Sequence, residues 1–166
     1  MTTSENRAAT EPAVQGTPQG ALEFRLLDHD SMGLIVPLYV SVFNAEPWND
    51  GWHPMVVLER LQAFAQFPRF ECMVLLCDGQ PVGAVLGWGE RWVNSWVFHI
   101  KEMFVDSAQQ RQGYGRCLFE AFEVYLRLKG FTGAYLQTGE AAPARQFYER
   151  MGYERFNVVS LRKRFA

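Results

Sequence analysis

Asp78-Gly79 sits between two runs of apolar residues, Phe70–Cys77 and Pro81–Trp88. That dipeptide accepts the positive φ angles of a tight hairpin turn, so the two runs read as neighbouring antiparallel strands. Downstream the pattern changes. A strand-like run, Trp96–Val105, leads into a helical repeat over Gly113–Lys129, where Leu118, Ala121, Phe122, Tyr125 and Leu128 recur at helical spacing. Gly130 closes the repeat, and a further strand-like run, Phe131–Gln137, follows. Hairpins and a helical crossover together predict a mixed sheet with helices packed on it, in the α/β (α+β) class.

The remaining segments fit that scheme. Ala21–Leu27 alternates, with Leu22, Phe24 and Leu26 on one face, and predicts a half-buried strand. Asp28, Asp30 and Ser31 offer helix caps before an apolar stretch that runs to about Phe43 and is interrupted by Pro37. Asn44–Gly51 reads as a loop. His53-Pro54 opens a second helix with Met55, Leu58, Leu61 and Ala65 as its apolar stripe, and Pro68 ends it. Ala142–Met151 reads as a short helix stopped at Gly152, and Phe156–Arg164 as a last strand. The expectation is six to seven strands flanked by about four helices. Residues 1–20 hold too little apolar surface to repay ordering and read as a flexible tail, leaving residues 21–166 as a single domain.

Composition narrows the function. Sixteen Lys and Arg against eighteen Asp and Glu give a net charge of −2, which argues against a nucleic-acid partner bound through its backbone. There is no apolar run of ~20 residues for a membrane span. The first twenty residues lack the basic start and apolar stretch of a secretory signal. Cys72, Cys77 and Cys117 are odd in number and lack metal-ligand spacing, so neither a disulfide framework nor a metal site is expected. The setting this suggests is cytoplasmic.

One segment carries chemistry. Gln110-Arg111-Gln112-Gly113-Tyr114-Gly115-Arg116 joins a strand to a helix. Two glycines allow a tight turn and close approach of a ligand. The first amides of the helix have no internal partner and sit at the positive end of its dipole, which suits phosphate oxygens. Arg111 and Arg116 add charge at the rim. The third glycine of a dinucleotide fingerprint and the Lys-Ser/Thr of a P-loop are both missing.

Gln110-x-x-Gly113-x-Gly115 resembles the acyl-CoA pyrophosphate motif of the GNAT superfamily of N-acetyltransferases. Glu102-Met103-Phe104-Val105 before it resembles that family's central strand, and Ala144–Tyr153, with Phe147-Tyr148 and Gly152-Tyr153, resembles its late helix. The likeness spans roughly Leu22–Phe165 and implies the GNAT fold, acetyl-CoA as cosubstrate, and acyl transfer to an amine. It further implies that main-chain groups of Met103, Phe104 and Val105 pair with the pantetheine arm. The pyrophosphate would rest on amides from Gln110 to Arg116, and Tyr148 would lie near the sulfur as general acid. Relatives often carry Asn where this chain has Ala141, seven residues before Tyr148.

Direct transfer from thioester to amine needs a neutral nitrogen, yet a free alkylamine titrates near ~10, so a proton acceptor is required. His99 and Glu102 are the candidates, a water relay the third. Lying three apart on a regular strand they would face opposite ways, with His99 on the side of Val105; a bulge would reverse this. For the acceptor, Glu46, Trp48 and Trp52 in the first interhelical loop suit a cationic amine with an apolar body. Trp88, Trp92 and Trp96 offer a second wall. The expected protein is a monomer or homodimer that acetylates a primary amine of a small molecule. The competing readings are a protein or peptide acetyltransferase and a non-catalytic acyl-CoA-binding module.

Overall fold

A computed structural model describes residues 16–140 and 142–165. The strands are β1 (Leu22–Leu26), β2 (Glu71–Cys77), β3 (Gln80–Arg91), β4 (Trp96–Val105) and β5 (Gly133–Leu136). The helices are α1 (Val36–Asn44), α2 (Pro54–Phe64), α3 (Tyr114–Leu128) and α4 (Pro143–Arg150), with 3-10 turns at His29–Ile35 and Ser107–Gln109. The order across the sheet is β1-β2-β3-β4-β5. The first four strands run antiparallel and β5 lies parallel to β4. This is the mixed sheet that the hairpin and the crossover require.

Local chemistry explains where elements begin. Asp28 caps the first 3-10 turn: its carboxylate accepts from the Ser31 amide at 3.1 Å, while the Ser31 hydroxyl accepts from the Asp28 amide at 2.8 Å. Pro37 falls in the first turn of α1, where its missing N–H costs no helical bond, and the apolar stretch divides there into a 3-10 turn ending at Ile35 and an α-helix beginning at Val36. At the hairpin, Asp78 (φ 50°) and Gly79 (φ 78°) both adopt left-handed conformations.

The sheet has two cores. On one face α1 and α2 bury Tyr39, Val57 and Leu61 against Val74, Leu86 and Phe104. On the other, Leu118, Phe119 and Phe122 of α3, with Tyr148 of α4, cover Leu75, Val85, Phe98, Ile100 and Val105.

Several sequence expectations are corrected. Among the described residues five strands form, fewer than six to seven. Phe156–Arg164 alternates as a strand does, but no described sheet edge pairs with it, and it runs exposed without regular structure. Alternation records which faces are apolar and says nothing of whether a partner edge is present. β1 is exposed throughout rather than half-buried, because it is the outermost strand beyond the helices. On α2 the buried residues are Val57 and Leu61, while Met55 is exposed. Residues 1–15 of the expected tail, and Ala141, lie outside the described residues. Among the described residues no helix is long and apolar enough to cross a membrane.

One irregularity in β4 sets which of its side chains share a face. Gly87 pairs with Ile100 and Leu86 with Glu102, so Lys101 is an extra residue in β4. The bulge needs Gly87: a Cβ there would overlap the main-chain carbonyl of His99. A glycine inside a strand pattern is the sequence mark of such an approach. Gly87→Ala is therefore expected to destabilise the fold by ~1–3 kcal/mol, read as a lowered midpoint in urea unfolding.

Candidate active site

The bulge decides which residues meet. His99 lies opposite Trp88 and Glu102 opposite Leu86, two positions apart on β3, so both side chains share the α2 face. The regular-strand expectation, opposite faces with His99 beside Val105, is corrected. Val105 packs in the α3 core, and Glu102 reaches Arg60 of α2.

The pair formed by Glu102 is nearly enclosed. Arg60 Nη2 donates to Glu102 Oε1 at 2.7 Å, and only 12% of the Glu102 side chain is exposed. The guanidinium also lies 4.6 Å from the ring centre of Phe64 and 5.3 Å from that of Trp52. Tyr39 stands beside this pair, its hydroxyl pushed up to about 12, first by burial and then by the charge of Glu102.

His99 occupies an aromatic box. Its ring stacks on Tyr135 at 4.6 Å and meets the Trp88 ring edge-on at 5.0 Å. Trp88 is itself stacked on Phe67 at 4.3 Å. His99 Nδ1 is 3.7 Å from Glu90 Oε1, and the Tyr135 hydroxyl donates to Glu90 Oε2 at 2.8 Å. Burial holds the imidazole below its usual 6.5, partly offset by Glu90. The ring is thus neutral near pH 7.

Between β4 and β5 the sheet opens. The two strands pair from Val97–Gly133 to Ile100–Leu136 and no further. Among the described residues, β4 has a neighbour on the β3 side alone from Lys101 to Val105. Met103 and Val105 turn toward α3, where both lie within 3.5 Å of the space that a Cβ on Gly115 would fill. Tyr148, from α4, is buried beside Phe119 (ring centres 5.7 Å apart). Its hydroxyl is pushed up to about 12, by burial and then by the Glu102 carboxylate. The charge of a residue on the α2 face is thus felt by a tyrosine on the α3 face.

The glycine turn stands at the same end of β4. Arg111 (φ 62°) and Gly113 (φ 88°) are left-handed, and α3 begins with no side-chain cap on Gly113. The first α3 amide to bond back is that of Cys117, to the Gly113 carbonyl. Those of Tyr114, Gly115 and Arg116 have no acceptor among the described residues, as expected at a helix start. The residues present fit an anionic group on main-chain amides. Gln110 also has a structural part, its side-chain amide donating to the Val105 carbonyl at 3.2 Å. Arg111 and Gln112 are exposed, and Arg116 is drawn to Glu120 at 2.7 Å.

Sequence reasoning missed a partner of this turn. Gly16–Gly20 lies against it: the Tyr114 hydroxyl donates to the Gln19 carbonyl at 2.7 Å, and the Gly16 carbonyl occupies the space of a Cβ on Gly113. Close approach to Gly113 on this side is thus by the chain itself.

The acceptor-side expectations separate. Trp52 is half-buried and fixed: its amide donates to Asn44 Oδ1 (2.6 Å), its indole N–H to Asp50 (3.0 Å), and Arg60 already lies over its ring. Trp48 is exposed, its ring 5.9 Å from Phe43, which touches Phe104. Glu46 is exposed in the same loop. Trp88 joins the His99 box, Trp96 lies under Arg69 and Arg91, and Trp92 is exposed, so the three do not form one wall. Arg60, Tyr135 and Glu90 were not singled out in the sequence. Each is one polar residue in an ordinary helix or strand, and only register brings it to the site.

The sequence profile of the acetyltransferase (GNAT) family matches residues 32–153. The chain belongs to that family: it is a GNAT-type N-acetyltransferase, and acetyl-CoA is its cosubstrate. No curated protein matches it. Among solved structures it resembles an aminoglycoside acetyltransferase from an uncultured soil metagenomic sample, solved with sisomicin, at 21% identity over 87% of this chain and 97% of that one (TM-score 0.68). It also resembles the aminoglycoside N-acetyltransferase AAC(6')-Iy with CoA, at 17% identity over 90% and 99% (TM-score 0.70). A third is a possible acetyltransferase from Clostridium difficile 630, at 17% identity over 87% and 98% (TM-score 0.72). At these identities the likeness concerns the fold.

The contact at the turn gives a prediction. Gly113→Ala would force the Gly16 carbonyl away and strain a left-handed residue, at a cost of ~1–3 kcal/mol. The expected result is a KM for acetyl-CoA raised several-fold or more, with kcat much less affected, in steady-state kinetics.

Proposed function

We propose that this chain moves an acetyl group from acetyl-CoA to a primary amine of a small molecule, by direct attack on the thioester while both substrates are bound. The observation that carries the reading is the opening of the sheet at Lys101. Among the described residues it leaves Met103, Phe104 and Val105 without a neighbouring strand on one side, where the Val105 carbonyl accepts from the Gln110 side chain, and the uncapped start of α3 stands at the end of the same strand. In this reading the pantetheine arm lies along that free edge as an added strand would. The pyrophosphate rests on amides between Gln110 and Arg116.

The roles of the side chains follow from their surroundings. Tyr148, held protonated by burial, supplies a proton to the departing thiolate. His99 takes the proton of the incoming ammonium: it is half-buried, neutral near pH 7 and on the acceptor face. Glu102, with Oε1 engaged by Arg60, is the fixed anion toward which the cation is drawn. A main-chain amide near Val105 polarises the thioester carbonyl. Glu46, Trp48 and Trp52 frame the acceptor's entry, with Trp48 the more open of the two indoles. The sisomicin bound by one structural neighbour is a polyamine, which supports a small cationic acceptor here.

The test is amine-dependent release of the CoA thiol over arylalkylamines, polyamines, aminoglycosides, amino acids and peptide N-termini. Turnover confined to peptides would replace the small-molecule reading. Tyr148→Phe should lower kcat by ~10²–10⁴ while the KM for acetyl-CoA changes little.

The pH dependence has a definite sign. Burial favours the neutral imidazole, so the base stays competent to below pH 6.5 and kcat/KM falls only beneath that. In His99→Gln that acid limb should disappear and the rate should drop. An unchanged limb in His99→Gln and its loss in Glu102→Gln would move the base role to Glu102.

A further inference from the structure

We infer that Glu90, held by the hydroxyl of Tyr135, is a positioning residue for the transfer step: its carboxylate keeps the proton of the neutral His99 ring on Nδ1, leaves the lone pair on Nε2, and then faces the imidazolium that forms. This inference rests on the reading of His99 as the base.

Three strands bring the group together. His99 on β4 lies opposite Trp88 on β3 and opposite Tyr135 on β5. Glu90 is two positions beyond Trp88 and opposite Val97, so it stands on the same face as His99, at the diagonal. A long side chain reaches across such a diagonal. Here Glu90 Oε1 comes to 3.7 Å from His99 Nδ1.

Tyr135 serves both partners. Its ring lies flat on the imidazole, with centres 4.6 Å and planes 5° apart, while Trp88 meets the same imidazole edge-on at 5.0 Å. The two aromatic rings limit how far the imidazole can turn. The Tyr135 hydroxyl donates to Glu90 Oε2 at 2.8 Å. That bond fixes the carboxylate by its far oxygen and leaves Oε1 toward Nδ1. Burial, then the bond to Glu90, pushes the Tyr135 hydroxyl up to about 12, so it remains a donor near neutral pH.

A neutral imidazole has one N–H and one lone pair, and the neighbour of one nitrogen decides which is which. A carboxylate can only accept, so it favours the proton on Nδ1. Nε2 is then the nitrogen that takes the proton of the ammonium. At 3.7 Å the contact is one of charge rather than a hydrogen bond. Such contacts tighten once the substrate is bound and the ring becomes charged.

Exposure also suits the role. The His99 side chain is 15% exposed and that of Glu90 42%, so the imidazolium is shielded from water while its counter-charge stays partly hydrated. Among the charged groups on the surrounding elements, Glu90 on β3 favours the imidazolium and Lys101 on β4 opposes it. Glu102 on β4 and Arg60 on α2 are engaged with each other at 2.7 Å.

The test joins nitrogen NMR of the imidazole rings to pH profiles of kcat/KM, measured with the best acceptor of the amine panel. The chain has three histidines, so comparison with His99→Gln assigns the signal. The wild type should show the Nδ1–H tautomer. Glu90→Gln keeps an acceptor for Tyr135 but removes the charge and can turn an amide N–H toward Nδ1, so this tautomer should be lost. In that variant kcat should fall about ten- to hundred-fold, a part of the ~10²–10⁴ that a general base supplies, with the KM for acetyl-CoA unchanged. Its acid limb should move to lower pH, because the group that raises the proton affinity of His99 is gone. Tyr135→Phe, which keeps the stack and frees the carboxylate, should shift tautomer and limb the same way by less. A tautomer and a limb that both stay in place in Glu90→Gln overturn the inference. An acid limb that persists in His99→Gln overturns the base reading, and the inference with it. A limb lost in His99→Gln but unmoved in Glu90→Gln overturns only the role given to Glu90.

Discussion

The extra residue at Lys101 is the constraint on which the rest of the site depends. A strand has a period of two, so one inserted residue turns every later side chain to the opposite face. In β4 this brings His99 and Glu102 to the same side, against α2, and sends Met103 and Val105 toward α3. The bulge is possible because Gly87 across the ladder has no side chain where the His99 carbonyl must lie. A glycine with no catalytic atom thus determines which catalytic candidates can meet.

Beyond the bulge the sheet parts, and the division of labour in the proposed reaction follows from that parting. In that proposal the donor takes the α3 face, with its uncapped helix start and the buried Tyr148, and the acceptor takes the α2 face, with the Arg60–Glu102 pair and the aromatic box around His99. The reacting atoms would meet in the gap. The two faces are electrically in contact, since the Glu102 charge helps to hold the Tyr148 proton. Burial acts on Tyr148 and His99 in opposite directions: it disfavours the charged form of each, which keeps the phenol protonated and the imidazole deprotonated. Those are the states that a donor and an acceptor of protons need before they react.

Much of the frame was legible in the residues. The Asp78-Gly79 hairpin, the limits of β4, the helix after the glycine turn and the short α4 all follow from local patterns whose causes are local. The glycine turn carried its own chemistry, because unpaired amides at a helix start exist wherever such a helix begins. Other readings failed for an identifiable reason. Met55 belongs to the spacing that suggested an apolar stripe, yet Val57 is the residue that reaches the core, because α2 is rotated by what it packs on. β1 and Phe156–Arg164 alternate well and yet are exposed, because alternation cannot report the presence of a covering helix or a neighbouring edge.

The sequence by itself determined the class of fold, the place of the glycine turn proposed to hold phosphate and the short set of residues able to move a proton. These depend on contacts between residues close in the chain, or on motifs with a fixed spacing. The tertiary structure alone decided which of those residues share a face. It placed Arg60 on Glu102 across forty-two positions, stacked His99 on Tyr135, and laid Gly16 over Gly113. Each of these depends on strand register or on packing between distant elements. A register shift of one residue reverses a strand's facing while leaving its sequence unchanged.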